Sequence, residues 1–166
     1  METVTVHTNP SYPVHIGPGL LDTCGQLLSA AMGHRRCLVA ADDTVAALYA
    51  PRVLSSLEEA GFRPVLYTFP AGERSKTIAT YAALLERMAR EKLTRSDFVV
   101  ALGGGVTGDL AGFAAATYQR GVDFVQMPTT FLAASDASVG GKTAVDLAAG
   151  KNLAGAFWQP RMVLCD

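Results

Sequence analysis

The sequence predicts an α/β fold, a parallel sheet flanked by helices and preceded by an N-terminal β-hairpin. Three observations lead there. Short apolar segments, Cys37–Ala40, Val65–Phe69 and Phe98–Leu102, alternate with longer stretches of helical periodicity, the pattern of strands buried on both faces by crossover helices. One of them, Phe98–Leu102, runs straight into Gly103, Gly104 and Gly105 and on into another helix, as strands do where such a sheet meets its ligand. The start of the chain instead alternates every second residue around a proline-bearing turn, which is hairpin chemistry.

In chain order, Thr3–Val6 alternates as a strand, Asn9-Pro10-Ser11-Tyr12-Pro13 turns the chain, and Val14–Ile16 returns. Leu20, Leu21, Cys24, Leu27, Leu28 and Ala31 form a helical apolar stripe that Gly33 ends, ahead of the strand Cys37–Ala40. A helix over Val45–Ala60 stops at Gly61, with Pro51 expected to break or restart it, because a proline ring removes a backbone donor and clashes with the preceding turn. After the strand Val65–Phe69, the residues Ile78, Tyr81, Leu84, Leu85 and Met88 mark the buried face of a further helix. The strand Phe98–Leu102, a helix over Thr107–Tyr118, the strand Val122–Met127 and a final strand near Met162–Cys165 complete the pattern, and Asp136–Lys151 reads as a loop.

With 166 residues the chain has one domain's length, enough to bury roughly 70% of the surface its unfolded form exposes. Uncharged runs such as Leu110–Gln119 are far shorter than the ~20 residues of a membrane span, and the N-terminus has neither the basic patch nor the apolar stretch of an export signal. Cys24, Cys37 and Cys165 are odd in number and never paired as Cys-x-x-Cys, which argues against a disulfide framework and for a reducing, cytoplasmic setting. His7, His15 and His34 have no carboxylate or cysteine at ligand spacing, so no metal site is expected within the chain. A formal net charge of −1 supplies no general field for nucleic acid, and neither nucleic acid nor membrane is expected as a partner.

Gly103, Gly105 and Gly108 satisfy G-x-G-x-x-G between a strand and a helix, the context in which a pyrophosphate approaches the backbone and meets free helical N–H groups. A glycine turn serving only strand-to-helix packing fits the same spacing. The acid usual some 20 residues later would be Asp123, but it begins its strand and lies at the wrong end. Asp42, just past Cys37–Ala40, is better placed for a ribose, or simply caps the next helix. "PAGERSKT" puts Glu73 and Lys76 after another strand end, and "MPTTF" does so for Thr129 and Thr130. "SVGGKT" ends as a phosphate-binding loop does, yet Asp136 stands where that loop needs its first glycine.

Together, "PAGERSKT", "ALGGGVTGDLAGFAAATYQRGV", "MPTTFLAASDASVGGKTAVD" and "GKNLAGAFWQP" resemble the 3-dehydroquinate synthase family over nearly the whole chain and in the family's order. The resemblance implies a Rossmann-like domain over residues 1–166 of a cytoplasmic shikimate-pathway enzyme. That enzyme converts 3-deoxy-D-arabino-heptulosonate 7-phosphate, a phosphorylated sugar acid, to 3-dehydroquinate and phosphate. NAD and a divalent metal, zinc or cobalt, serve it.

On the matching positions the resemblance implies cofactor contacts for Asp42, Thr44, Glu73, Lys76, Thr129, Thr130, Lys142 and Lys151, with Gly105, Val106, Thr107, Gly108 and Asp109 as the pyrophosphate turn. It implies substrate-handling, catalytic roles for Asp136, Lys142 and Asn152, and for Arg120 offered to a substrate phosphate across a homodimer. The family's α-helical domain, whose Glu and two His bind the metal, is absent from these residues, so the chain alone is expected to be inactive. A related sugar-phosphate cyclase, or a stand-alone nucleotide-binding or dimerisation module, would share much of the pattern.

Overall fold

A computed structural model describes residues 1–33 and 36–166; His34 lies outside them. β1 (Glu2–Val6) and β2 (Tyr12–Ile16) form the antiparallel hairpin, with Glu2 opposite Ile16 and Val6 opposite Tyr12. α1 (Leu20–Met32), β3 (Arg36–Asp42), α2 (Asp43–Glu59), β4 (Arg63–Phe69), α3 (Ile78–Arg90), β5 (Phe98–Gly103), α4 (Gly105–Thr117) and β6 (Asp123–Pro128) then alternate. β7 (Lys142–Leu147), β8 (Gly150–Phe157) and β9 (Met162–Cys165) follow. The main sheet runs β1-β2-β9-β6-β5-β3-β4, parallel except between β1 and β2, in a Rossmann-like arrangement.

Strand β3 shows why these segments are strands. Cys37, Val39 and Ala41 point into the core under α1 and α2, while Leu38 and Ala40 join the core under α3 and α4. Both faces are covered, so an unbroken apolar run is what the position requires. The two helices of the first layer meet where α1 carries Gly25: its N–H donates to Ser56 Oγ at 3.0 Å, and a Cβ there would lie 1.9 Å from the Ser56 carbonyl oxygen.

Two expectations are corrected. Pro51 does not break its helix; α2 runs continuously from Asp43 to Glu59. The carbonyl that Pro51 leaves unbonded belongs to Ala47, and both residues are exposed, so water takes the place of the lost backbone donor. The stretch from Asp136 to Lys151 is not one loop. After a wide helical turn over Ala133–Ala137, β7 and β8 form a second antiparallel sheet whose Val145 is buried with Leu110, Ala111 and Ala114 of α4.

Among the described residues the initial hairpin joins the sheet only through β9, where Val14 lies opposite Val163 and Ile16 opposite Cys165. Beyond β9, the Asp166 carboxylate accepts from the Gly19 N–H at 2.9 Å and the Leu21 N–H at 3.0 Å, neutralising donors that α1 leaves open at its start. Among the described residues no helix is long and apolar enough to cross a membrane.

Cys24, Cys37 and Cys165 are free and buried. Burial pushes all three thiols up, that of Cys37 to about 12, and the reactive thiolate is correspondingly scarce. Alkylation of the native protein at pH 8 is expected to leave Cys37 unlabelled, with label entering after denaturation. Prompt native labelling of Cys37, read by peptide mass, would show that this core opens.

Candidate functional site

Because all strands from β3 to β6 run parallel, their carboxyl ends bring Asp42, the 70–77 loop, the glycine turn and Thr129–Thr130 to one edge. The chain leaves β3 toward β4 and leaves β5 in the opposite direction toward β6. Such a reversal opens a crevice between neighbouring strand ends, where ligands of open α/β sheets bind. Asp42 stands on one side of it and Gly103–Gly105 on the other.

Asp42 caps α2, with Oδ1 accepting the Val45 N–H at 2.9 Å; Oδ2 has no hydrogen bond among the described residues. Thr44 is exposed in the first turn of α2. Gly105, Val106 and Thr107 open α4, ahead of the first intrahelical bond from Gly108 N–H to the Gly104 carbonyl, so their own N–H groups face the crevice end. The Thr107 side chain is buried against Gly103 and leaves its backbone as the available group. Gly108 serves packing, since a Cβ would lie 2.6 Å from Gln126 Oε1 on β6. Asp109 stands in the second turn of α4 with its carboxylate turned to Lys76.

That contact belongs to a polar cluster. Lys76, only 5% exposed, directs Nζ to Asp109 Oδ2 at 2.5 Å and to Asn152 Oδ1 at 2.6 Å. Burial raises the Asp109 pKa, and the Lys76 ammonium opposes the shift in part. Lys151 Nζ lies 3.0 Å from Glu73 Oε1, an exposed pair. Asp109, Asp136, Lys142 and Asn152 line a cavity of about 470 Å³ walled on one side by Leu153 and Phe157 of β8. Lys142 makes no ion pair among the described residues, so an entering anion meets an open ammonium beside neutralised ones.

Lys142 opens a strand after Gly140 and Gly141, whose φ angles are 97° and 70°. A phosphate-binding loop would lead into a helix there, so that likeness ends at the sequence. Thr129 and Thr130 line a second cavity of about 340 Å³ with Tyr49, Arg52 and Asp166. Thr130 Oγ1 accepts the Ala133 N–H at 3.2 Å, whereas the Thr129 hydroxyl is buried without a hydrogen-bond partner among the described residues. A buried hydroxyl left so is a poor arrangement for packing alone.

Arg120 is not part of this edge. A 13-residue α4 carries the chain roughly 20 Å back, and Arg120 lies beside the amino end of β6, where Asp123 faces Arg161 at 3.3 Å. The chain's own crevice is out of its reach. Sequence reasoning also missed Asp146, which accepts the Asn152 N–H at 2.8 Å, and Tyr12, whose hydroxyl accepts the Gly140 N–H at 3.2 Å. Alternation in Lys142–Val145 and a glycine at the following turn were the only signals for the strand that carries Asp146. Nothing pointed to Tyr12.

Residues 66–166 match the family model described as 3-dehydroquinate synthase N-terminal. The 3-dehydroquinate synthase of Desulforamulus reducens is 51% identical over 158 residues, 95% of this chain and 44% of that protein. The chain thus spans less than half the length of the curated relatives it matches. A structure of 2-deoxy-scyllo-inosose synthase complexed with carbaglucose-6-phosphate, NAD+ and Co2+ superposes with a TM-score of 0.91 at 30% identity, over 99% of this chain and 45% of that one. ValA, the 2-epi-5-epi-valiolone synthase of Streptomyces hygroscopicus with NAD+ and Zn2+ bound, superposes at 0.84 with 32% identity, over 98% and 45%.

Proposed function

Because the chain belongs to the 3-dehydroquinate synthase N-terminal family, we propose that residues 1–166 form its NAD-binding domain. In the whole protein this domain would serve conversion of 3-deoxy-D-arabino-heptulosonate 7-phosphate to 3-dehydroquinate and phosphate. The observation that carries the reading is the convergence of Asp109, Asn152 and Lys142 on one cavity, with the Lys76 ammonium bonded to the first two.

The residues present suit NAD. Asp42 Oδ2 offers an acceptor for a ribose hydroxyl, with Thr44 adjacent. The N–H groups of Gly105, Val106 and Thr107 offer donors for a pyrophosphate. The unpartnered Thr129 hydroxyl, with Thr130 beside it, offers a contact for the nicotinamide half. When bound, NAD supplies reversible oxidation of a substrate hydroxyl, which acidifies the neighbouring C–H.

The chain's own residues bind and orient. Lys142 attracts the phosphorylated end, Asp136 accepts from a substrate hydroxyl, and Asn152 holds substrate against cofactor. Lys76, Lys151 and Glu73 flank the dinucleotide. Among the described residues no group of three or more His, Cys, Asp or Glu suits a metal ion, so the zinc or cobalt of the neighbours has no donor set among them. Arg120, at the opposite sheet edge, serves the phosphate site of a second copy in a cytoplasmic homodimer. The structural neighbours favour a related sugar-phosphate cyclase as the second reading, but the higher identity to 3-dehydroquinate synthases favours the first.

Calorimetric titration with NAD+ tests the reading. Asp42→Ala is expected to lower stability by about 1 kcal/mol through loss of the cap. It should also weaken NAD+ binding by about 1–3 kcal/mol through loss of a charge-assisted hydrogen bond. Reduced stability with unchanged affinity would leave Asp42 a cap only, and a wild-type chain that binds no NAD+ would end the reading.

A further inference from the structure

We propose that Asp146 is a positioning residue, which locks Lys76 and Asn152 into one arrangement for the ligand. This rests on the reading that those two side chains meet the cofactor and substrate. Between Val145, paired with Ala154, and Leu147, paired with Gly150, the register of the β7–β8 hairpin shifts. Asp146 alone fills the gap on β7, while Lys151, Asn152 and Leu153 fill it on β8. The longer side must bulge, and Asn152 does so with a left-handed φ of 56°, a conformation that asparagine tolerates better than most residues. Its N–H is thereby taken out of the ladder.

Asp146 Oδ1 accepts that N–H at 2.8 Å. On its other side, the Asp146 N–H donates to the Lys76 carbonyl at 2.8 Å, and Thr77 bridges to Asp146 in parallel fashion. The circuit closes through the ammonium, because Lys76 Nζ donates to Asn152 Oδ1 at 2.6 Å. A ring therefore runs from the Lys76 backbone through Asp146 to the Asn152 backbone, and from the Asn152 side chain back to the Lys76 side chain. Two residues distant in sequence are held at both their backbones and their side chains. Without Asp146 the backbone half of the ring is open, and Asn152 is free to leave its left-handed turn.

What the ring needs at position 146 is an acceptor oxygen; charge is not required. An asparagine supplies the oxygen, and alanine or valine does not. Wild type, Asp146→Asn, Asp146→Ala and Asp146→Val are to be titrated with NAD+ below each variant's melting temperature. Valine is included because it favours strands and keeps the test open where the alanine variant melts early. The Asn152 amide and the Lys76 ammonium are followed by 15N resonance in the same samples.

The expected result is at least a tenfold loss of affinity in the alanine or valine variant and affinity within twofold of wild type in the asparagine variant. Protection of the Asn152 amide and slow exchange of the Lys76 ammonium should follow the same order, and a merely stabilising hairpin residue would not move the second. Wild-type affinity in the alanine and valine variants, or equal weakening by asparagine, overturns the proposal. If wild type itself binds no NAD+, the functional reading fails separately. The resonances then decide: protection and a slow-exchanging Lys76 ammonium kept without the acceptor refute the lock, and their loss with rescue by asparagine sustains it.

Discussion

Lys76→Met is expected to destabilise the protein by about 2–3 kcal/mol at neutral pH, at or below the low end for a broken buried pair because the Asp109 side chain keeps 20% of its exposure. Methionine matches the length of the lysine stem, so the change removes the ammonium with little change in packing. The Asp109 carboxylate then remains in place without its cation, and burial already raises its pKa. Losing the opposing Lys76 charge raises it further. A carboxyl whose folded pKa lies above its unfolded value takes up its proton more readily when folded, so stability rises as pH falls from the folded pKa toward the unfolded one. The deficit of the variant should therefore be largest near pH 7 and shrink toward pH 4. Urea unfolding of wild type and variant across that range is the measurement. Equal stability at pH 7 would show that water already compensates Asp109.

Gly25→Ala is expected to cost about 3 kcal/mol or more, at the upper end for overpacking. The new methyl carbon would stand 1.9 Å from the Ser56 carbonyl oxygen and 2.9 Å from the Ala60 methyl. The first obstacle is backbone, so no rotamer change relieves it. The helices α1 and α2 must separate, and with them goes the bond from Gly25 N–H to Ser56 Oγ. A cost below 1 kcal/mol in the same unfolding assay would mean that the two helices slide freely.

The sequence made β3 and β5 plain because both faces are buried, and continuous apolar residues leave few alternatives. It also made Asp42 plain as an acid at a strand end, and the structure shows the cap without deciding against the ribose. The β7–β8 hairpin was hidden for a physical reason. Most of β8 is exposed or half-buried, and the bulge at Asn152 interrupts the two-residue period on which strand recognition depends. Pro51 misled because the rule for proline holds where the orphaned carbonyl is buried, and here it is wet. The contacts of Lys76 with Asp109 and Asn152 join residues separated by 33 and 76 positions, and spacing along the chain carries no trace of them. Arg120 was readable from topology: a helix that leaves a carboxyl end returns the chain to an amino end.

The pairing of β2 with β9 has a consequence for synthesis. On a ribosome adding about 5–20 residues per second, the roughly 150 residues that separate the two strands take about 8–30 s to appear. During that interval the hairpin has emerged but has no neighbour. Its inner edge, Val14 to Ile16, presents unpaired N–H and C=O groups that any other extended chain could extend. Tyr12, later 1% exposed, stands in water for the same period. The hairpin is thus among the last parts of this sheet to be secured, and the open edge is a hazard of the nascent chain more than of the finished fold.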